Sequence, residues 1–233
     1  MRRTLVGRVP RWRYAAAIVA GFVLVAAAPA SAAGTWTLEA GETRTVLTLS
    51  AVSCTSAGWC AAVGSELDQS GAPSKVYAES GSGTTWTVAP SSGPKPSVLT
   101  GVSCVAPDWC QAVGFIPGTS EMLVNERWDG QAWSQLAGPV RRGSLMGVSC
   151  VSRSFCMAVG GQAGQDPFSG TLAERWNGKK WSVVATPNKG SGPELDAVAC
   201  VSPTWCAAVG SYGFSYDSDR RTGSRTLAEL WNG

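Results

Sequence analysis

The chain of 233 residues contains no histidine. That removes serine–histidine–acid and cysteine–histidine catalysis, and every histidine metal site. Its eight cysteines include no Cys-x-x-Cys pair, the spacing of a thiol redox centre. Charged residues are few, 15% of the chain, and the basic excess is local. Arg2, Arg3, Arg8, Arg11 and Arg13 open the chain with no acid among them. Beyond them, fourteen basic residues face sixteen acidic ones. The net charge of +3 therefore carries no signal for a nucleic-acid partner. Long apolar runs are also missing apart from one, over residues 14–28, and about 15 residues is too short to cross a bilayer comfortably.

That run has a recognisable setting. A basic start, an apolar stretch and then Ala30-Ser31-Ala32 follow the order of a secretory signal. The expectation is a signal peptide over 1–32, no stable membrane anchor, and a secreted, extracellular domain over 33–233. One domain of that size can bury a core of its own.

What is present is a repeat. Ala51-Val52-Ser53-Cys54, Gly101-Val102-Ser103-Cys104, Gly147-Val148-Ser149-Cys150 and Ala197-Val198-Ala199-Cys200 are four copies of one motif. Each of these cysteines has a partner six positions on, at Cys60, Cys110, Cys156 and Cys206. An aromatic residue precedes each partner: Trp59, Trp109, Phe155 and Trp205. Ala-Val-Gly follows each time, ending at Gly64, Gly114, Gly160 and Gly210. Later in the repeat, Leu123-Val124-Asn125-Glu126-Arg127-Trp128 resembles Leu172-Ala173-Glu174-Arg175-Trp176 and Leu227-Ala228-Glu229-Leu230-Trp231, with a weaker copy around Glu79. Asp129-Gly130, Asn177-Gly178 and Asn232-Gly233 come next, a hairpin signal because both residue types tolerate positive φ. Trp86, Trp133 and Trp181 then open another short run.

Each repeat thus reads as four short strands in about 50 residues, the size of a propeller blade. The expected fold is all-β, a four-bladed β-propeller with repeats near 47–90, 98–138, 144–186 and 195–233. The segment 34–39, around Trp36, reads as the missing outer strand of the last blade, closing the ring and removing exposed edges. The pattern Val-Ser-Cys, five residues, Cys, Ala-Val-Gly, then Trp-Asn-Gly and Trp, resembles repeat-rich secreted proteins of actinobacteria of predicted propeller type. That resemblance implies no activity. The turns before Trp86 and Trp181 resemble Asp-box hairpins of sialidase-type propellers, but Gly81 and Trp176 stand where the aspartate belongs, so sialidase chemistry does not follow.

Eight cysteines allow about 105 pairings. The repeat selects Cys54 with Cys60, Cys104 with Cys110, Cys150 with Cys156 and Cys200 with Cys206, each stapling a hairpin, as an oxidising compartment permits. Two thiolates per repeat without histidine make a poor metal site, so no metal or other cofactor is expected.

Residues present in every repeat serve the repeat. The ten tryptophans after residue 32 and the glutamates Glu79, Glu126, Glu174 and Glu229 are therefore read as packing and strand-edge bonding. Function is expected where repeats differ, on loops at one end of the scaffold. The longest variable segment, 211–225, holds Tyr212, Phe214, Tyr216, Asp217, Asp219, Arg220 and Arg221, aromatic and charged residues suited to a sugar or a peptide. The leading reading is a non-catalytic binding module for a glycan, a cell-wall polymer or an extracellular protein. The rivals are a hydrolase of glycosidase type, using acids from Glu66, Asp68, Glu121, Asp166, Asp217 and Asp219, and a passive cell-surface structural protein.

Overall fold

The computed structural model describes residues 46–56, 58–118, 122–140, 142–162, 170–188, 190–216 and 221–233. The signal segment 1–32 and the strand expected at 34–39 lie outside them, as do Glu121, Asp166, Asp217, Asp219 and Arg220. All described residues belong to one compact unit, Glu39–Gly233, and all regular elements in them are strands.

The strands form four antiparallel sheets, one per sequence repeat. Sheet 1 holds β1 (Val46–Ser56), β2 (Trp59–Leu67), β3 (Pro73–Ser82) and β4 (Thr85–Val88) in that order. Sheet 2 holds β5 (Val98–Ala106), β6 (Trp109–Ile116), β7 (Met122–Trp128) and β8 (Trp133–Gln135). Sheet 3 holds β9 (Ser144–Ser152), β10 (Phe155–Gln162), β11 (Gly170–Trp176) and β12 (Trp181–Val184). Sheet 4 has three strands among the described residues: β13 (Ser191–Ser202), β14 (Trp205–Tyr216) and β15 (Arg221–Trp231).

The motif residues explain why each sheet has the same build. In every first hairpin the two cysteines lie directly opposite one another and are bridged: Cys54–Cys60, Cys104–Cys110, Cys150–Cys156 and Cys200–Cys206. Each first strand carries a β-bulge after its leucine, so Leu99 and Val102, three apart, both reach one core. The glycine of Ala-Val-Gly makes this possible. A Cβ on Gly64, Gly114, Gly160 or Gly210 would collide with the carbonyl oxygen of Thr48, Val98, Ser144 or Glu194 at the bulge. Conformational freedom is not the reason here; close backbone approach is.

The second half of each sheet is held by tryptophan. The indole N–H groups of Trp128, Trp176 and Trp231 donate to the carbonyls of Pro107, Arg153 and Pro203 in the first hairpin turn, at 2.9–3.0 Å. Trp128 and Trp176 also pack against Trp133 and Trp181, with ring centroids 5.6 and 5.7 Å apart. The connecting turns differ from a two-residue hairpin. Trp128 pairs with Trp133, leaving four residues between them, and Asp129 Oδ1 accepts from the backbone N–H groups of Gln131 and Ala132. Asn177 does the same for Lys179 and Lys180. Of each pair only the glycine takes positive φ, 99° at Gly130 and 91° at Gly178, while the Asx side chain closes the turn.

The core lies between the sheets. Ala61, Val63 and Ala78 of sheet 1 meet Leu99, Val102 and Ala112 of sheet 2, and equivalent residues join sheets 2 and 3, then 3 and 4. The first strands pack in series, β1 on β5, β5 on β9 and β9 on β13. The outward faces of sheets 1 and 4 are both exposed, Leu49 and Val52 on one and Trp205 and Val209 on the other. The described residues therefore stop short of the single closed ring expected from the repeat count.

Candidate functional site

The segment 211–225, expected to be a loop, is mostly a β-ribbon. β14 runs to Tyr216 and β15 starts at Arg221, with every pair from Tyr216↔Arg221 to Ser211↔Thr226 in register. Alternating Tyr212, Phe214 and Tyr216 supply the β-propensity that a list of polar and glycine residues hides. β14 is 12 residues long against 8 or 9 for β2, β6 and β10, so this ribbon outreaches the corresponding hairpins. Its outer strand is exposed at Gly223, Ser224, Arg225 and Thr226. Tyr212 is half-buried, its ring lying over Gly190, where a Cβ would strike it. It therefore anchors the ribbon to the connection before sheet 4. The side chains of Phe214, Tyr216 and Arg221 lie outside the described residues.

Two of the acids considered for catalysis are described, and both serve local structure. Glu66 pairs with Lys75 at 2.5 Å across β2 and β3. Asp68 Oδ1 accepts from the backbone N–H groups of Ser70 and Ala72 and from the Ser70 hydroxyl. Those bonds, the Ser70 hydroxyl first, hold its carboxyl below the usual aspartate range. Glu66 and Lys75 also border a polar cleft of about 330 Å³ with Tyr77, Ser91, Gly93 and Lys95.

The repeated glutamates form a clasp between sheets. Glu126 of sheet 2 is fully buried and accepts from the hydroxyl of Ser91, in the connection leaving sheet 1, at 2.8 and 3.0 Å. Glu229 of sheet 4 accepts from the Thr171 hydroxyl of sheet 3 at 3.3 Å, and Thr171 is tied to Thr186 and Asn188 in the connection leaving sheet 3. Glu174 of sheet 3 is also fully buried but has no hydroxyl donor of this kind; its polar neighbours are the Asn125 side chain and the Val140 backbone. Burial raises all three carboxyls, Glu174 to about 7, against the smaller opposing pull of Asn125 and the Val140 backbone. The clasp joins residues from two repeats, so a single-repeat pattern shows the glutamate but not its partner.

A narrower apolar cleft of about 60 Å³ lies between sheets 3 and 4, bordered by Met157, Val184, Leu195 and Trp231. Trp231 corresponds to Trp128 and Trp176, which have a second tryptophan beside them where Trp231 has this cleft. Among the described residues no group of three or more acids or cysteines is placed to hold a metal ion, and no helix is long and apolar enough to cross a membrane.

No family model matches the chain, and no curated protein matches it. Among solved structures, the chain is similar to one described as YCF48 bound to D1 peptide, with a TM-score of 0.45 and 14% identity over 79% of this chain and 70% of that one.

Proposed function

We propose that this chain is an exported, non-catalytic binding module whose partner is an extracellular protein. The observation that carries this reading is the β14–β15 ribbon. It is the longest of the four equivalent hairpins, it is anchored by Tyr212 over Gly190, and its outer strand is exposed. An exposed strand edge offers backbone donors and acceptors to an extended segment of another protein, and alternating aromatic residues give such a contact side-chain selectivity. Phe214, Tyr216, Asp217, Asp219, Arg220 and Arg221 supply the selective contacts, with Tyr212 holding the ribbon in place. Backbone pairing of this kind suits a polypeptide better than a polysaccharide. Four disulfides suit an oxidising, extracellular setting.

The sheets in this reading are blades of a β-propeller within residues 33–233, after a signal peptide at 1–32. The segment 34–39, outside the described residues, is in this reading the fourth strand of sheet 4. The 60 Å³ cleft at Trp231 supports this placement.

Affinity capture from extracellular fractions, with the disulfide-intact chain as bait, tests the function. Replacing both Phe214 and Tyr216 with alanine is expected to abolish capture of a specific protein at unchanged melting temperature. Capture that survives the double change removes the ribbon as the binding element, and retention on purified polysaccharide instead would replace the protein partner with a glycan.

A further inference from the structure

The short outer strands β4, β8 and β12 pair only with the last part of β3, β7 and β11. The connection that follows each of them then passes the edge of the third strand at one residue: Val76 in sheet 1, Leu123 in sheet 2 and Thr171 in sheet 3. In sheet 3 the connection caps that residue. Asn188 Oδ1 accepts from the Thr171 N–H at 2.9 Å, and the Thr186 hydroxyl donates to the Thr171 carbonyl at 3.0 Å. In sheet 2 Val140 stands in the place of Asn188, and it packs with Leu123 and Leu136 against the core between sheets 2 and 3. In sheet 1 Ser91 and Gly93 stand in the places of Thr186 and Asn188, and both are turned to Glu126 of sheet 2. The Ser91 hydroxyl donates to that carboxylate, and Glu126 Oε1 lies where a Cβ on Gly93 would stand. Val76 is left without either cap.

The backbone of Val76 points into a cleft. Ala78 bonds away from β2, its carbonyl accepting from the Ala89 N–H at 2.8 Å. Peptide groups alternate in direction along a strand, so Val76, two residues earlier, turns its N–H and C=O to the same side. Between them and the connection lies the polar cleft of about 330 Å³, along the edge of sheet 1. The charged residues bordering it are Glu66, Lys75 and Lys95. Glu66 and Lys75 neutralise one another at 2.5 Å. Lys95 is exposed and has no acidic partner among the described residues.

We propose that this cleft is a second binding site, for an extended acidic peptide segment that pairs with the edge of β3 at Val76 and sets a carboxylate on Lys95. Sheet 3 displays the chemistry that fits: an amide carbonyl on the N–H and a donor on the C=O. One residue of an extended chain supplies both together, at the spacing of an antiparallel ladder. The uncompensated charge of Lys95 adds a preference for an anion. An exposed ion pair contributes little energy, so backbone pairing carries the contact and the carboxylate selects among sequences. The site belongs to sheet 1 and does not rest on the β14–β15 ribbon of sheet 4.

Titration of the disulfide-intact, nitrogen-15-labelled chain with an acetylated and amidated pentapeptide of alternating valine and glutamate tests this. Saturable amide shifts centred on Val76 and Lys95 are expected. The same peptide with every backbone nitrogen methylated keeps its charge and should not bind. Lys95→Glu changes an exposed side chain and should weaken the acidic probe several-fold, while favouring a probe with lysine in place of glutamate. Absence of a Val76 shift at millimolar probe overturns the proposal, and it is the result expected if residues 1–45 of the same chain fill the cleft. Equal binding of the methylated probe, or binding indifferent to Lys95→Glu, overturns it too, as does a neutral oligosaccharide moving the same amides where the peptide does not. Phe214→Ala with Tyr216→Ala should leave the Val76 shifts intact, so that this site and the ribbon fail separately.

Discussion

Glu174 is the residue whose environment departs furthest from its repeat. Its neighbours in the series, Glu126 and Glu229, each have a hydroxyl from the preceding repeat, and Glu174 has the Asn125 side chain instead. A carboxyl raised from 4.5 to about 7 on folding favours the folded state fully below the unfolded value, and that contribution is lost as pH rises through about 7. The loss is up to ~3 kcal/mol by the pH 8 side of the titration. Glu174→Gln should therefore raise the melting temperature at pH 8, change it little at pH 4.5, and flatten the slope between. Equal slopes for variant and wild type would show that Glu174 is solvated in the folded chain. The bulge glycines make a second residue-scale case. Gly114→Ala should destabilise by about 3 kcal/mol, because the added methyl meets backbone that cannot move without breaking the bulge. Urea unfolding of the variant measures it.

At the scale of the element, the first hairpin of every sheet is stapled and the second is not. A bridge over six residues contributes roughly 2 kcal/mol by limiting the unfolded chain. Replacing Cys104 and Cys110 together with alanine should lower stability by about that amount while leaving the other three bridges formed, as mass spectrometry of the oxidised chain would confirm. The inter-sheet serine bond gives a smaller effect. Ser103→Ala should cost about 1 kcal/mol, since Cys150 N–H then loses its side-chain partner at a half-buried junction. The hairpins were legible as elements because cysteine, tryptophan and glycine recur at fixed spacing. The 211–225 ribbon was not, because glycine, serine and aspartate between its aromatic residues resemble loop composition, and only the pairing of Tyr216 with Arg221 makes them strands.

For the whole molecule, one junction is repeated three times, β1 on β5, β5 on β9 and β9 on β13. Four like sheets and the compartment suited to four bridges could be read from spacing alone. So could the role of the repeated glutamates, as structure before chemistry, since a residue present in every repeat answers to a need present in every repeat. Their partners could not, because Ser91, Thr171 and Asn125 belong to neighbouring repeats and share no motif with one another.

The sequence by itself determined the repeat, its strands, the cysteine pairs and the glycine at each bulge. These depend on contacts within about 50 residues, where periodicity and spacing carry the information. Only the tertiary structure decided which positions are buried and which are open. Leu49 and Leu99 are the same residue in the same motif, yet one is 51% exposed and the other is buried. Sheet 1 packs over Leu99, which is a property of packing between repeats and is written in no single one of them.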